Sequence, residues 1–301
     1  MEVLAAVSSW VISSACNVQV GGNHWLRSMC GPGNQSIAAL MSKLSEQAEV
    51  HFPGESTYKG ATDRWSTLKA PNPTFVVVPA TENDVAESVK FANSLTLPYL
   101  AVNSGHGAII TQGRMKYGME IWMDKLKTIK INPDGKTATI GGGARSKAVT
   151  DTLWAAKKQT VTGGCECTSI LGPGLGGGHG FLQGRHGLIA DQFVSMNIVN
   201  ADGELKTVSQ KSDPDMWWAL QGAGHSFAIV TSVTSKIYNI THFDWAYQSF
   251  MFTGDKVKGL YQNINDYLLK NGSQSVDMMN YSFFFSNPAV DPNKASLFCA
   301  K

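Results

Sequence analysis

A chain of 301 residues with 43% hydrophobic and 16% charged residues can bury a large core, as one large domain or two ordinary ones, and is not a disordered polymer. Its net charge of +2 comes without any Lys/Arg cluster, so no basic surface is available to neutralise a run of phosphates and nucleic acid is not an expected partner. No apolar run approaches the roughly 18–20 residues that cross a bilayer, which argues against a membrane-spanning role.

The N-terminal MEVLAAVSSWVISSACN carries a short apolar run ending in Ser13-Ser14-Ala15, which suits a signal peptidase, although Glu2 stands where a positive charge belongs. Passage through the secretory pathway with loss of residues 1–15 is the expectation, supported by N-x-S/T sites at Asn34, Asn239, Asn271 and Asn280. Five cysteines are too few and too scattered for a disulfide scaffold; Cys16 and Cys30 are close enough in sequence to pair. Cys165 and Cys167 are not expected to bond each other, because an extended chain holds the Cα atoms of residues i and i+2 about 7 Å apart.

TFVVVPA at 74–80 reads as a strand, and the following TENDVAESVKFANSL as a helix capped by Thr81, with Asp84 three residues on and Val85, Val89 and Ala92 on one face. LPYLAVN at 97–103 is a second strand, which makes 74–103 a βαβ unit with a parallel pair. It ends in SGHG, at the carboxyl end where α/β sheets bind ligands. TIKI and TATIG flank NPDG at 132–135, and FVSMNIV and ELKTVS flank NADG at 200–203, as two antiparallel hairpins. SKAVTDTLWAAKKQ and DPDMWWALQ read as helices, and SFAIVTSVTSKIYNI as a long strand. From residue 241 an aromatic-rich pattern begins: FDWAYQSFMF, then the helix-like VKGLYQNINDYLLKNG, then MMNYSFFFSNP.

The stretch TGGCECTSILGPGLGGGHG at 162–180 holds eight glycines and two cysteines. Glycine at this density is kept where backbone must turn or approach something closely, so a bound group is expected here. Gly172, Gly174 and Gly177 satisfy G-x-G-x-x-G, but the fingerprint needs a strand before it and a helix directly after it, and neither is predicted. Cys165, Cys167, His179 and His186 are potential metal ligands, yet their spacing matches no common zinc pattern. A loop with inert buried cysteines is the bland alternative.

SGHG, then GGCECTSILGPGLGGGHG some sixty positions later, with LIADQFVSMNIVNADG and WWALQGAGHSFAIVTSV after it and PGESTY and RWS before it, resembles the FAD-binding domain of the p-cresol methylhydroxylase (PCMH) type. The likeness runs in order over roughly residues 50–240 and is strongest to fungal, oxygen-dependent oxidoreductases of the berberine bridge enzyme-like kind. It implies an α+β fold: a two-subdomain FAD-binding domain with mixed sheets at 70–240, preceded by an N-terminal segment 1–69 and followed at 241–301 by the start of an antiparallel-sheet substrate domain. Family members generally continue well beyond this length. The chain therefore reads as truncated, which puts its activity in more doubt than its flavin binding.

The resemblance also implies the site. Asn103, Ser104, Gly105, His106, Gly107 and Ala108 correspond to the turn whose amides bind the FAD pyrophosphate and whose histidine bonds to the flavin 8α-methyl. Ser104 stands where the family usually has glycine. Cys165, eleven residues before the Gly176-Gly177-Gly178 triplet, corresponds to a cysteine that can attach to flavin C6, and Cys167 fails that spacing by two residues. Gly164, Ser169, Gly172 and Ile229 complete the cofactor set, with His225 near it. The implied cofactor is FAD, covalent through His106 and in some members a cysteine, and no metal. The implied reaction is oxidation of an alcohol, sugar or secondary metabolite by hydride transfer to flavin with O₂ as acceptor. No catalytic base is assigned, Tyr281 being as readily a packing residue. A catalytically silent flavin-binding protein is the competing expectation.

Overall fold

The protein is described by a computed structural model over residues 37–269, 272–286 and 295–300, so Cys16, Cys30, Asn34, Asn271 and the leader-like residues 1–15 lie outside the described residues. The first elements are α1 (Ile37–Met41), β1 (Glu49–His51), α2 (Ser56–Thr62), β2 (Phe75–Val78), α3 (Glu82–Ser94), β3 (Tyr99–Val102) and β4 (Met119–Trp122). They form a four-stranded sheet of order β1-β2-β4-β3. The expected parallel neighbours β2 and β3 are not in contact as a pair: β4 lies between them, parallel to both, with Glu120 opposite Val76 on one side and Leu100 on the other. The physical reason is that Met119 and Ile121 are fully buried and need a central position. A four-residue strand interrupted by a glutamate gave no periodic signal for it.

Helix α3 starts as the sequence predicts. Thr81 Oγ1 accepts from the Asp84 amide at 3.2 Å and Asp84 Oδ2 accepts from the Thr81 amide at 2.8 Å, a reciprocal cap whose loss costs ~1 kcal/mol. The same carboxylate accepts from the Ser45 amide and hydroxyl, both at 2.7 Å, tying the N-terminal segment to the helix. Val85, Val89 and Ala92 pack with Phe75, Val77 and Met119 in one core.

The second sheet follows from the two hairpins. The elements in this part of the chain are β5 (Ile129–Ile131), β6 (Thr137–Gly141), α4 (Ser146–Ala155), β7 (Lys158–Gln159), the one-turn helices α5 (Leu171–Gly174) and α6 (Gln183–His186), β8 (Phe193–Val199), β9 (Leu205–Val208), α7 (Pro214–Leu220), β10 (Ile229–Lys236) and β11 (Tyr238–Asn239), of which β7 and β11 pair separately as a two-stranded ribbon. The order β5-β6-β10-β8-β9 is antiparallel throughout, and the predicted long strand is its centre. The core beneath it gathers Ile140, Leu153, Ile170, Ile189, Met196 and Leu220. Glu82, at the start of α3, joins the two sheets: its carboxylate accepts from the Thr231 and Ser232 hydroxyls, both at 2.8 Å, and from Asn197 Nδ2 at 3.2 Å.

Beyond residue 241 come β12 (Ser249–Thr253), α8 (Val257–Asn263) passing into a single π-helical turn at 264–268, β13 (Tyr281–Ser286) and β14 (Ala295–Ala300). The strands pair antiparallel in the order β12-β14-β13. β13 thus has a strand partner along one side.

Candidate cofactor site

Residues 103–108 leave the carboxyl end of β3 as an irregular turn held at both ends. Asn103 Nδ2 donates to the carbonyls of Gly142 at 2.6 Å and Ala144 at 3.4 Å, and Trp122 Nε1 donates to the Asn103 carbonyl at 3.0 Å. Gly105 has φ +69°, and a Cβ there would lie 2.6 Å from the Asp63 carbonyl, so the turn closes only without a side chain. The Gly105 carbonyl accepts from the Trp65 amide at 3.1 Å, and the Trp65 ring stacks on His106 with centroids 6.1 Å apart. Among the described residues, no backbone N–H of Ser104, Gly105, His106, Gly107 or Ala108 donates to a protein acceptor.

Beneath this turn lies an ion pair. Arg64 Nη2 donates to Glu120 Oε2 at 2.5 Å while Nη1 donates to the carbonyls of Ala61 at 2.8 Å and Asp63 at 3.1 Å, so one guanidinium braces the 61–65 segment that Gly105 touches. Glu120 is fully buried, and its Oε1 has no partner. Burial pushes its carboxyl up to about 7, against the pull of Arg64.

The glycine-cysteine loop meets the turn from the other sheet. The Ser169 amide donates to Ser104 Oγ at 3.3 Å, and the first amides of α4 are taken by loop carbonyls, Ser146 to Thr168 at 2.8 Å and Lys147 to Glu166 at 3.0 Å. The helix start therefore holds the loop's backbone through these two amides. The expectation that Cys165 and Cys167 stay unbonded is also wrong: they form a disulfide, with Cα atoms 5.4 Å apart. The segment is a tight turn, with the Thr168 amide donating to the Cys165 carbonyl at 3.3 Å, which removes the extended geometry on which the expectation rested. Nor is Cys167 remote from the turn: its sulfur lies 3.2 Å from His106 Nε2. His106, Cys165 and Cys167 place their ligand atoms within 4.8 Å of one another. Sulfurs bonded to each other offer no thiolate, so this cluster is not a metal centre as it stands.

The remaining predicted residues fall around these two loops. The Gly172 amide donates to Ser169 Oγ at 2.7 Å, Gly164 lies against Phe181, and Gly176 is exposed beside His225. Gly178 has φ +77° with Ile189 packed where a side chain would go, and Gly177 is buried, so these two form the turn more than any outward surface. Ile229, partly buried, opens β10. Gly107 and Ala108 border a small cleft with Arg64, Lys69 and Gln112. The structure does not bring His179 and His186 to the cysteines. His179 pairs with Gln183 at 2.8 Å, and His186 stacks on Tyr238, its pKa lowered by burial and then by Arg185. No strand leads directly into the G-x-G-x-x-G residues, and their helix α5 is a single turn. Sequence reasoning missed Arg64, Trp65, Glu120, Gly142 and the closeness of Cys167 to His106. The RWS triplet and the Gly141-Gly142-Gly143 run were the signals available for three of them.

Exposed Trp65, Ile109, Ile110 and Phe181 rim the site, so free amides and closely approached backbone sit beside apolar surface. That combination fits a diphosphate joined to a flat, largely apolar ring system. A cavity of about 280 Å³ between β12 and α8, lined by Phe250, Phe252, Leu260 and Tyr267, has no lining residue from either loop.

The sequence pattern of the FAD binding domain family matches residues 73–209, which include both loops. FAD-linked oxidoreductase chyH of Penicillium rubens is 50% identical over 294 residues, 97% of this chain and 57% of that protein. Among solved structures, BBE-like 1 of Physcomitrella patens superposes with a TM-score of 0.73 at 24% identity, over 88% of this chain and 55% of that one. Glucooligosaccharide oxidase from Acremonium strictum, which carries a 6-S-cysteinyl, 8α-N1-histidyl FAD, gives a TM-score of 0.71 at 21% identity, over 88% of this chain and 54% of that one. The chain spans about half the length of the curated relatives it matches.

Proposed function

From the premise that this chain belongs to the FAD-binding, PCMH-type family of berberine bridge enzyme-like oxidoreductases, we propose that it is the flavin-holding part of an oxidase for a small organic substrate. The observation that carries this is the run of backbone amides at 104–108 with no protein acceptor, at the carboxyl end of β3. Consecutive N–H groups in a turn form an anion nest, and these would hold the FAD pyrophosphate. Asn103 fixes the turn to the second sheet, and Gly105 closes it. His106, stacked against Trp65, would be the group that bonds the flavin, with Cys165 the second tether.

When bound, the flavin supplies two-electron chemistry, taking hydride from substrate and passing the electrons to O₂. The protein's part would be to hold and orient the cofactor with residues of the two loops, the exposed Trp65, Ile109, Ile110 and Phe181 offering it apolar surface. The substrate class is an alcohol, sugar or secondary metabolite. Turnover is a property of the whole protein, and no residue of this site is assigned as the base that takes the substrate proton.

The test is flavin retention. Purified protein precipitated with acid is expected to keep yellow, fluorescent flavin in the pellet, and His106→Ala to lose its 8α linkage while the native protein still binds FAD. A folded sample that neither copurifies with flavin nor takes up added FAD rejects the proposal. Hydrogen peroxide release across a panel of alcohols and sugars then separates an oxidase from a silent flavin carrier.

A further inference from the structure

The disulfide between Cys165 and Cys167 sits inside the same site, and it competes for the same sulfur. We infer that the pair is a redox mask on the second flavin tether: bonded, it withholds Cys165, and reduced, it releases Cys165 to form the thioether. This rests on the assignment of Cys165 as that tether.

Three features carry the inference. Both cysteines are exposed, so a small thiol can reach the bond. The backbone around them is pinned independently of the disulfide, by Lys147 on Glu166, Ser146 on Thr168 and Ser169 on Ser104, so opening the bond frees two sulfurs without moving the loop. Finally, His106 Nε2 lies 3.2 Å from the Cys167 sulfur, near enough to accept the thiol proton of a reduced Cys167 and so favour reclosure. A disulfide without these supports would be a staple; with them it is a reversible cover.

The chemistry balances in two steps. Two molecules of a small thiol of the glutathione class reduce the bond, the Cys165–Cys167 S–S breaking as one thiol–thiol disulfide forms and both cysteines gain a proton. Tethering then breaks the Cys165 S–H and flavin C6–H bonds and forms one S–C bond, the two electrons and two protons going to O₂ as hydrogen peroxide.

The 301-residue chain, produced during riboflavin starvation, is treated either with diamide or with a phosphine reductant, desalted, and incubated with FAD in air. Peptide mass spectrometry reads the cysteinyl flavin, the histidyl flavin and, after differential alkylation, the disulfide. The expected result is at least tenfold more cysteinyl flavin in the reduced arm, with histidyl flavin equal in both arms as the control for an intact site. Cys167→Ser is expected to load Cys165 fully in either arm, and Cys165→Ser in neither. Equal cysteinyl flavin in the two wild-type arms overturns the mask, as does a Cys167→Ser protein that stays sensitive to oxidant, or an oxidised sample in which both cysteines alkylate. Absence of cysteinyl flavin from every sample, with the disulfide opening and closing normally, overturns the tether assignment and the mask with it.

Discussion

At the scale of single residues, the site depends on a position where the chain's own backbone tolerates no side chain. Gly105 needs φ +69° and also has the Asp63 carbonyl where a Cβ would be. The left-handed conformation alone costs an L residue ~1–2 kcal/mol, and the clash adds to it by pushing the turn away from Trp65. Gly105→Ala is therefore expected to lower flavin content at least tenfold, read as the ratio of flavin to protein absorbance, while thermal stability drops by only a few degrees. Normal flavin content in that variant would show that the turn amides do not hold the cofactor. Gly176 contrasts with it. Nothing closer than 3.5 Å meets a Cβ there, so packing within the chain does not require glycine at this position.

At the scale of elements, the buried pair of Arg64 with Glu120 links α2's exit to the central strand β4 and thereby seats the turn after β3. Its pH dependence has a definite sign. In the unfolded chain Glu120 loses its proton near its ordinary 4.5, whereas in the folded protein burial holds the proton to about 7. The stability this contributes is fully present below pH 4.5 and is lost as pH rises through 7. At 1.36 kcal/mol per unit, the loss is roughly 3 kcal/mol. Glu120→Gln cannot titrate and should show no such decline, so above pH 7 it is expected to be more stable than wild type, the gap closing toward pH 4.5 in urea melts. A variant less stable than wild type by several kcal/mol at pH 8 would instead mean that the charged pair repays its desolvation. The cap of α3 behaves oppositely. Burial alone would raise Asp84, but hydrogen bonds from Ser45 and Thr81 hold it below its ordinary value, so its contribution is present at neutral pH and is lost in acid.

At the scale of the whole molecule, the two sheets that meet at Glu82 and Asn103 have buried cores, to which, among the described residues, the β12-β14-β13 sheet contributes none. Phe250 and Met251 on β12, and Phe283 and Phe284 on β13, are adjacent in sequence and exposed, so both faces of this sheet carry apolar side chains toward solvent. An exposed apolar area of this kind drives association. The 301-residue chain is expected to bind a hydrophobic dye and to sediment as dimers or larger species at micromolar concentration, and Phe284→Ser combined with Phe250→Ser to shift it toward monomer. A monomeric wild-type chain that ignores the dye would show that this surface is covered by other means.

What was legible in the sequence was local. The Thr81 cap, the NPDG and NADG hairpins, the Asp213-Pro214 helix start and the turn after β3 are each set by a few neighbouring residues whose backbone preferences act within one turn. The resemblance to a flavin-binding family also assigned the two glycine-rich loops to one site, and the fold does bring them together, with the Ser169 amide on Ser104 Oγ. What the tertiary structure alone decided was pairing at a distance: β4 between β2 and β3, Arg64 against Glu120 across 56 positions, and Cys167 beside His106 across 61. These contacts follow from which buried surfaces the whole chain brings together, and a short strand, a lone charge or a single thiol carries no periodicity that names its distant partner. The Cys165–Cys167 bond shows the same division at the shortest range, since the extended chain assumed from sequence argued against it and the turn the fold imposes brings the two Cα atoms to 5.4 Å.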